Sequence, residues 1–217
     1  IHHVALESPG YLPVQRQFED GGFSISHIPV GRDGIDISRL PVNIPSAVYV
    51  SPSNQFPTGT VMPVGRRYQL LDWARANRSI IIEDDYDSEF RFTGRPIPTL
   101  QSIDTDGLVI YMNTFSKSIA PSIRISYMVL PPALMAEFQS RLGFYSCTVP
   151  SFEQYTLARF LSRGYFEKHI NRMRKLYKNR RNLVISFLNR CPFADRLTIL
   201  EQDAGLHFLL KVDTALT

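Results

Sequence analysis

The stretch Ser79-Ile80-Ile81-Ile82-Glu83-Asp84-Asp85-Tyr86-Asp87 joins a fully apolar run to four carboxylates. The apolar run predicts a strand over Ser79–Ile82 that is buried on both faces, as strands of parallel sheets are. A second such strand is predicted over Leu108–Met112, and Asn113-Thr114-Phe115-Ser116-Lys117-Ser118 follows it directly. Ligands of open α/β sheets bind beyond the carboxyl ends of the strands. The two segments therefore predict one functional region.

Strands and helices alternate along the rest of the chain. Further strands are predicted over His3–Glu7, Phe23–Val30, Ser46–Val50 and Arg124–Leu130. Helices are predicted over Tyr11–Glu19, Val64–Ala76, the residues from Pro131 to Leu142, and the stretch from Ser151 to about Asn189 with a break at Gly164. This alternation predicts an α/β fold with a mainly parallel sheet flanked by helices.

The last part of the chain predicts a second, smaller subdomain. Two strands are expected there, over Leu197–Glu201 and Leu206–Val212. We place the boundary in the long helical stretch, which gives a first domain over residues 1–164 and the start of a second over 165–217. The chain begins with Ile1 and stops at Thr217 inside a predicted strand region, so both ends are expected to be truncated.

Composition excludes several classes of protein. With 217 residues and 44% hydrophobic content, the chain can bury a core and is not intrinsically disordered. No apolar run approaches the roughly 18 residues that a membrane span requires. Two cysteines, Cys147 and Cys191, are too few and too far apart for a disulfide framework or a zinc site. We therefore expect a cytoplasmic protein that is not associated with a membrane.

The net charge and the short motifs indicate little about the function. The net charge is +4, and six of the basic residues lie between His169 and Arg181, interleaved with apolar residues at spacings of three and four. This pattern predicts a helix with a solvated basic face, and a nucleic-acid surface is the less favoured alternative. The sequence contains no nucleotide-binding glycine motif and no zinc-protease motif, and its five histidines have no metal-ligand spacing. No metal is predicted.

Two residues at the predicted strand ends can carry chemistry. By the period of two, Asp84 and Tyr86 lie on one face with Ile82 if the strand continues that far. The alternative is a solvated acidic loop. Lys117 is a possible nucleophile if its pKa is lowered, and the alternative is a surface lysine. A Ser116–Lys117 hydrolase pair is not expected, because adjacent side chains on an extended segment point in opposite directions.

The chain resembles a known family in five segments that occur in order. They are Glu7-Ser8-Pro9-Gly10-Tyr11, Ser51-Pro52-Ser53-Asn54-Gln55-Phe56-Pro57-Thr58-Gly59, the run from Glu83 to Phe90, the run from Thr114 to Tyr127, and Ala204-Gly205-Leu206-His207. Together they resemble fold-type-I aminotransferases, which use pyridoxal 5′-phosphate (PLP). The likeness is greatest to the aminotransferase-like domain of MocR/GabR-type regulators of the GntR superfamily. The resemblance implies most of the large PLP-binding domain over 1–164 and the start of the small α+β domain over 165–217.

The resemblance implies two catalytic roles. Lys117 matches the lysine of the family that forms a Schiff base with the aldehyde of the cofactor, for which its amine must lose a proton. Asp84 matches the carboxylate that pairs with the pyridine nitrogen and keeps it protonated, so that the ring accepts electrons. Both residues also count as cofactor-binding residues.

The resemblance implies further cofactor contacts. Tyr86 matches the phenol that bonds the 3′-oxygen, and Tyr11 matches the aromatic residue that stacks on the ring. Thr114 and Arg124 match the hydroxyl and guanidinium groups that bind the phosphate. Ordinary aminotransferases carry an asparagine at the position of Phe56, and Asn54 is the residue predicted to substitute for it.

The function implied by the resemblance is regulatory. An amino compound displaces Lys117 from the cofactor, and the resulting change repositions DNA-binding domains of the winged-helix type, which this chain does not contain. The main alternative is a catalytic aminotransferase, in which Lys117 also transfers a proton as general base and acid. A degenerate domain without cofactor is a third possibility, which the complete set of site residues argues against. By analogy with the family we expect a homodimer.

Overall fold

The computed structural model describes residues 1–94 and 96–214. Its largest element is a seven-stranded sheet with the strand order β3-β2-β1-β4-β5-β6-β7. The strands are β1 (His3–Ser8), β2 (Ser24–Gly31), β3 (Gly34–Ile35), β4 (Ser46–Val50), β5 (Ile80–Asp84), β6 (Val109–Thr114) and β7 (Ser126–Val129). Strands β2, β1, β4, β5 and β6 run parallel, and the two edge strands β3 and β7 pair antiparallel. The predicted mainly parallel α/β sheet is confirmed.

Seven α-helices accompany the strands in the described residues. They are α1 (Leu12–Asp20), α2 (Val64–Ala76), α3 (Leu100–Ile103), α4 (Phe115–Ser118), α5 (Pro132–Leu142), α6 (Ser151–Ser162) and α7 (Tyr165–Leu188). The sheet is covered on both faces. Leu70 and Trp73 of α2 pack with Val48 and Ile81 in the larger core cluster. On the other face, Val14 of α1 packs against the cluster that contains Tyr49.

A buried ion pair fixes the loops that surround the carboxyl end of β5. Arg67 and Glu83 are fully buried, with 3.6 Å between Nη1 and Oε1. Glu83 accepts the backbone N–H groups of Leu100 and Gln101 at the start of α3. Arg67 donates to the carbonyl of Pro52, which holds the loop after β4. Burial raises the pKa of Glu83 to about 7.

The structure corrects the prediction for the residues around Lys117. This residue lies in the single helical turn of α4 and not on an extended segment. The hydroxyl of Thr114 accepts the backbone N–H of Ser116 at 3.2 Å, which is the capping bond that starts a helix. In a helical turn, the Ser116 and Lys117 side chains do not point in opposite directions as they would on an extended segment. The Oγ of Ser116 instead lies 3.1 Å from the Oγ1 of Thr114.

Two further expectations differ from the structure. β5 ends at Asp84, so Tyr86 lies in the following turn and does not continue the strand. The short elements β3 and α3 were not predicted, because two and four residues are too few to produce a periodic pattern. The helix α4 and the short 3₁₀ helices at Ile37–Arg39, Pro121–Ile123 and Ala194–Arg196 were not predicted either, and the other strands and helices agree with their predicted bounds to within three residues.

The C-terminal part forms its own small sheet. Strands β8 (Leu197–Leu200) and β9 (Leu209–Val212) pair antiparallel and are separate from the seven-stranded sheet. Gly164 lies between α6 and α7 with a φ of 69°. The domain boundary at residues 164/165 stays a prediction. Among the described residues, no helix is both long enough and apolar enough to cross a membrane.

Candidate functional site

Three neighbouring parallel strands bring the predicted site residues to one edge of the sheet. Asn54 lies in the loop after β4, Asp84 is the last residue of β5, and Lys117 lies in α4 directly after β6. Because β4, β5 and β6 are parallel, their carboxyl ends meet at the same edge. This topology explains why residues up to 63 positions apart in sequence can form one site.

Asp84 is held by a tyrosine that the sequence analysis did not select. The Tyr49 hydroxyl donates a hydrogen bond to Oδ2 of Asp84. Burial raises the pKa of Asp84, the bond from Tyr49 lowers it, and the charge of Asp85 raises it. Asp84 is therefore a partly buried carboxylate that favours a cationic partner.

Tyr86 and Asn54 form the next part of the site. The Tyr86 hydroxyl donates to the backbone carbonyl of Asn54 at 2.8 Å, and Asn54 Nδ2 lies 3.4 Å from the same hydroxyl. Asn54 is buried, and its Oδ1 has no hydrogen-bond partner among the described residues. Burial raises the pKa of Tyr86, so its hydroxyl stays protonated. Asn54 thus contacts the Tyr86 hydroxyl through its backbone carbonyl and its Nδ2, and its side-chain oxygen is buried and unpaired.

Lys117 lies beside two groups that come from distant parts of the chain. Burial is the main cause of the lowered pKa of His207, and the positive charge of Lys117 lowers it further, as it lowers that of Asp87. Burial is the larger effect on Asp87 and raises its pKa to about 6. Nδ1 of His207 lies 3.4 Å from Asn54 Nδ2, which also donates to Asp87 at 2.9 Å. Lys117 itself is exposed, and its charge acts on two members of this polar cluster, Asp87 and His207.

The segment 203–207 brings His207 to the site. The backbone N–H of Leu206 donates to Oδ2 of Asp87 at 3.1 Å, and the N–H of Gly205 donates to the carbonyl of Phe90 at 2.9 Å. In the sequence, His207 is one of five histidines without metal-ligand spacing and the last residue of the segment Ala204–His207 that resembles the family. No local pattern could have placed it beside Asn54, which is 153 positions earlier.

The residues expected at the phosphate lie together at the start of α4. Thr114 caps α4, and its hydroxyl also lies 3.3 Å from the carbonyl of Ile125. Arg124 comes after α4 in the chain. Its side chain is exposed, and its backbone is left-handed with a φ of 50°. Ser116 adds a second hydroxyl beside Thr114, and the sequence analysis did not select it. Two hydroxyls and a guanidinium are suitable ligands for a phosphate.

Tyr11 is connected to the site by ring contacts through Phe56. The rings of Tyr11 and Phe56 are 5.7 Å apart with an interplanar angle of 88°, and the Phe56 ring is 5.9 Å from that of His207. A cavity of about 300 Å³ is bordered by Tyr11, Phe56, Tyr49 and Glu7. The half-exposed Tyr11 ring is therefore available as an aromatic platform.

Glu7 is a buried carboxyl group that the sequence analysis quoted only as part of a motif. Its Oε2 accepts the backbone N–H of Ser51 at 3.2 Å, and Gln55 Nε2 lies 3.4 Å away. Its Oε1 has no hydrogen-bond partner among the described residues. Burial raises the pKa of Glu7 to about 8. The group is therefore mostly protonated at neutral pH.

Glu7→Gln should change how stability depends on pH. The folded pKa of Glu7 lies above its unfolded value of 4.5, so this group costs stability as pH rises from about 4.5 to about 8. Glutamine keeps the shape and cannot ionise. Urea unfolding at pH 5 and at pH 8 gives the stability that each protein loses between these two pH values. We expect Glu7→Gln to lose at least about 1 kcal/mol less than the wild type. An equal loss in both proteins would contradict the protonated state.

The residues present fit PLP on the chemistry of their groups. An amine, a carboxylate and a phenol are provided by Lys117, Asp84 and Tyr86, and the amide donor Nδ2 of Asn54 lies 3.4 Å from the phenol oxygen. The hydroxyls at the start of α4 with Arg124 suit a dianion. In residues 1–94 and 96–214, no group of three or more His, Cys, Asp or Glu side chains could hold a metal ion.

Comparison with known proteins gives the same family by three routes. The family model described as aminotransferase class I and II matches residues 3–216. An HTH-type transcriptional regulator of Bacillus subtilis (strain 168), the uncharacterized YdeL, is 46% identical over 209 residues, which are 96% of this chain and 45% of the relative. The probable rhizopine catabolism regulatory protein MocR of Rhizobium meliloti is 40% identical over 97% of this chain and 43% of its own length.

A solved enzyme shares the fold. The kynurenine aminotransferase of Pyrococcus horikoshii, solved in complex with PMP, superimposes with a TM-score of 0.77 at 30% identity. The match covers 94% of this chain and 52% of that enzyme. The chain thus spans about half the length of the proteins that it matches.

Proposed function

Since this chain belongs to the class I and II aminotransferase family, we propose that it is the PLP-binding effector domain of a MocR-type transcription regulator. The observation that carries the proposal is the meeting of Lys117, Asp84, Tyr86 and Asn54 at the carboxyl ends of three parallel strands. The identities of 46% and 40% to regulators, against 30% to an aminotransferase, favour the regulatory role.

PLP, when bound, supplies an aldehyde that condenses with amines and a pyridine ring that accepts electrons. Asp84 would hold the protonated pyridine nitrogen, since a partly buried carboxylate gains most from a cationic partner. Tyr86 and Asn54 would bind the 3′-oxygen, and Tyr11 would cover one face of the ring. Thr114, Ser116 and Arg124 would bind the phosphate.

Lys117 has the two tasks of binding the cofactor and yielding to a ligand amine. Its amine must be unprotonated to act as a nucleophile. The neighbouring carboxyl of Asp87, with a pKa of about 6, is ionised at neutral pH and would stabilise the protonated amine once Lys117 is displaced. Asp87 also accepts a hydrogen bond from the backbone N–H of Leu206. Displacement of Lys117 would therefore change the hydrogen bonding of the segment 203–207.

The proposal includes the partners of the intact protein. The ligand would be an amino compound, since an amine is what competes with Lys117. DNA would be bound by a segment outside this chain, in agreement with the HTH-type description of the B. subtilis relative. A homodimer in the cytoplasm is the expected assembly and location. A catalytic aminotransferase stays the alternative, which the likeness to the P. horikoshii enzyme supports.

Borohydride reduction after incubation with PLP tests the site. Reduction makes the cofactor–lysine bond permanent, so peptide mapping locates it. The chain has five lysines, and we expect one stoichiometric label on Lys117, with none on Lys168, Lys175, Lys178 or Lys211. Lys117→Ala should abolish the label, and Lys168→Ala should keep it. Label spread over several lysines, or absent, would contradict the proposal.

Turnover distinguishes the two roles of the same site. A regulator releases PLP from Lys117 when the ligand amine binds, and it forms little or no keto acid. An aminotransferase converts an added amino acid into its keto acid over many cycles. Keto-acid production beyond one equivalent per site would favour the enzyme.

A further inference from the structure

We infer that Tyr49 is the positioning residue of the cofactor site, holding Asp84 ionised and in place for the pyridine nitrogen. The inference rests on the proposed function and deepens it. Its basis is the hydrogen bond that the Tyr49 hydroxyl donates to Oδ2 of Asp84. Within residues 1–94 and 96–214, no other side chain donates to this carboxylate.

Strand register explains why these two residues meet. Tyr49 of β4 lies opposite Ile82 of β5, and Asp84 is two residues further along β5. Because side chains alternate along a strand, Tyr49, Ile82 and Asp84 share one face of the sheet. A diagonal neighbour across parallel strands lies within reach of a long aromatic side chain. Tyr49 is only 8% exposed, so its ring is fixed by packing.

The surroundings of Asp84 require such a donor. The titratable groups that face it are Glu7 of β1, Tyr49 of β4, and Asp85 and Tyr86, which both follow the end of β5. Not one of these is a cation, and Asp85 and burial both raise the pKa of Asp84. The bond from Tyr49 is the opposing influence, since hydrogen bonding to the charged form lowers a carboxyl pKa.

Tyr49→Phe tests the inference, with PLP binding to the full-length protein as the measurement. Loss of the hydroxyl removes the hydrogen bond that favours the ionised carboxylate, so the pKa of Asp84 rises further and the variant needs a higher pH than the wild type to reach the same ionised fraction. We expect the dissociation constant of PLP to rise about tenfold at pH 7, and the difference to narrow towards pH 9. Tyr111→Phe is the matched control, because its hydroxyl donates to Asp85 at 2.8 Å instead. That control should bind PLP like the wild type.

A double-mutant cycle separates positioning from packing. With Asp84→Asn in the background, Tyr49→Phe should lose most of its effect on PLP binding, since the charge that it stabilises is gone. Unchanged binding in Tyr49→Phe, or a loss that is equal at every pH and equal in the Asp84→Asn background, would overturn the inference. Those results leave the proposed function standing if the wild type is labelled on Lys117. A wild-type protein that binds no PLP would overturn both.

Discussion

Asp84→Asn is expected to weaken PLP binding about 100-fold while leaving the cofactor-free protein at least as stable as the wild type. The first effect follows because a charge-assisted hydrogen bond to the pyridine nitrogen becomes a bond to a neutral amide. The second follows because burial raises the pKa of Asp84, so its ionised form costs stability in the cofactor-free protein. Asparagine can still accept the hydrogen bond from Tyr49.

The pH dependence of stability shows in which direction Asp84→Asn changes the stability of the cofactor-free protein. The folded pKa of Asp84 lies above its ordinary value of 3.8, so its contribution to stability is lost as pH rises through the folded pKa. At pH 8 the melting temperature of cofactor-free Asp84→Asn should therefore equal or exceed that of the wild type. Titration with PLP should reverse the order, because only the wild type is strongly stabilised.

Asp72→Asn is the control for Asp84→Asn. Asp72 lies on α2 with its side chain 69% exposed and pairs with Arg75 at 3.0 Å. This variant should match the wild type in both measurements, because surface ion pairs contribute little. If Asp84→Asn loses stability without PLP and keeps its affinity, Asp84 is a structural residue and the assignment is wrong.

Much of the fold was predictable because the strands of a parallel sheet are short apolar runs between turns. Ile80–Ile82 is such a run, and the sequence places Asp84 two residues after it; the strand itself continues to Asp84. The turn at Lys117 was not predicted as helical, because Thr114 had been considered as a phosphate ligand and not as a helix cap. The Thr114 hydroxyl can both cap a helix and bind a phosphate only if the helix begins directly after Thr114.

The contacts between distant residues could not be predicted. The meeting of Tyr49 and Asp84 depends on the register of β4 against β5, and a slip by one residue would turn Tyr49 to the other face. The burial of Glu7 depends on the loop after β4, which contributes Ser51 and Gln55. Sequence patterns report local periodicity, and they contain no information on register across 35 or 44 residues.

Gly205→Ala is expected to destabilise the protein by about 3 kcal/mol and to weaken PLP binding at least tenfold. Gly205 has a φ of 74°, and a Cβ there would lie 1.8 Å from Nδ2 of Asn54 and 2.9 Å from Oδ2 of Asp87. An alanine therefore requires either a shift of the segment 203–207 or a displacement of Asn54. Either movement disturbs the polar cluster beside Lys117.

Gly164→Ala separates the steric clash from the backbone strain. Gly164 has a φ of 69°, close to that of Gly205, and a Cβ there would have no neighbour within 4 Å. Both alanines carry the strain of a left-handed backbone, about 1 kcal/mol, and only Gly205→Ala adds the contact with Asn54. Urea unfolding and PLP titration should therefore show a small stability loss with normal binding in Gly164→Ala, and a larger loss with weak binding in Gly205→Ala. Equal losses of stability and equal PLP affinities in both variants would mean that the segment 203–207 does not pack tightly against Asn54. That result would also contradict the proposed coupling of Lys117 to this segment through Asp87.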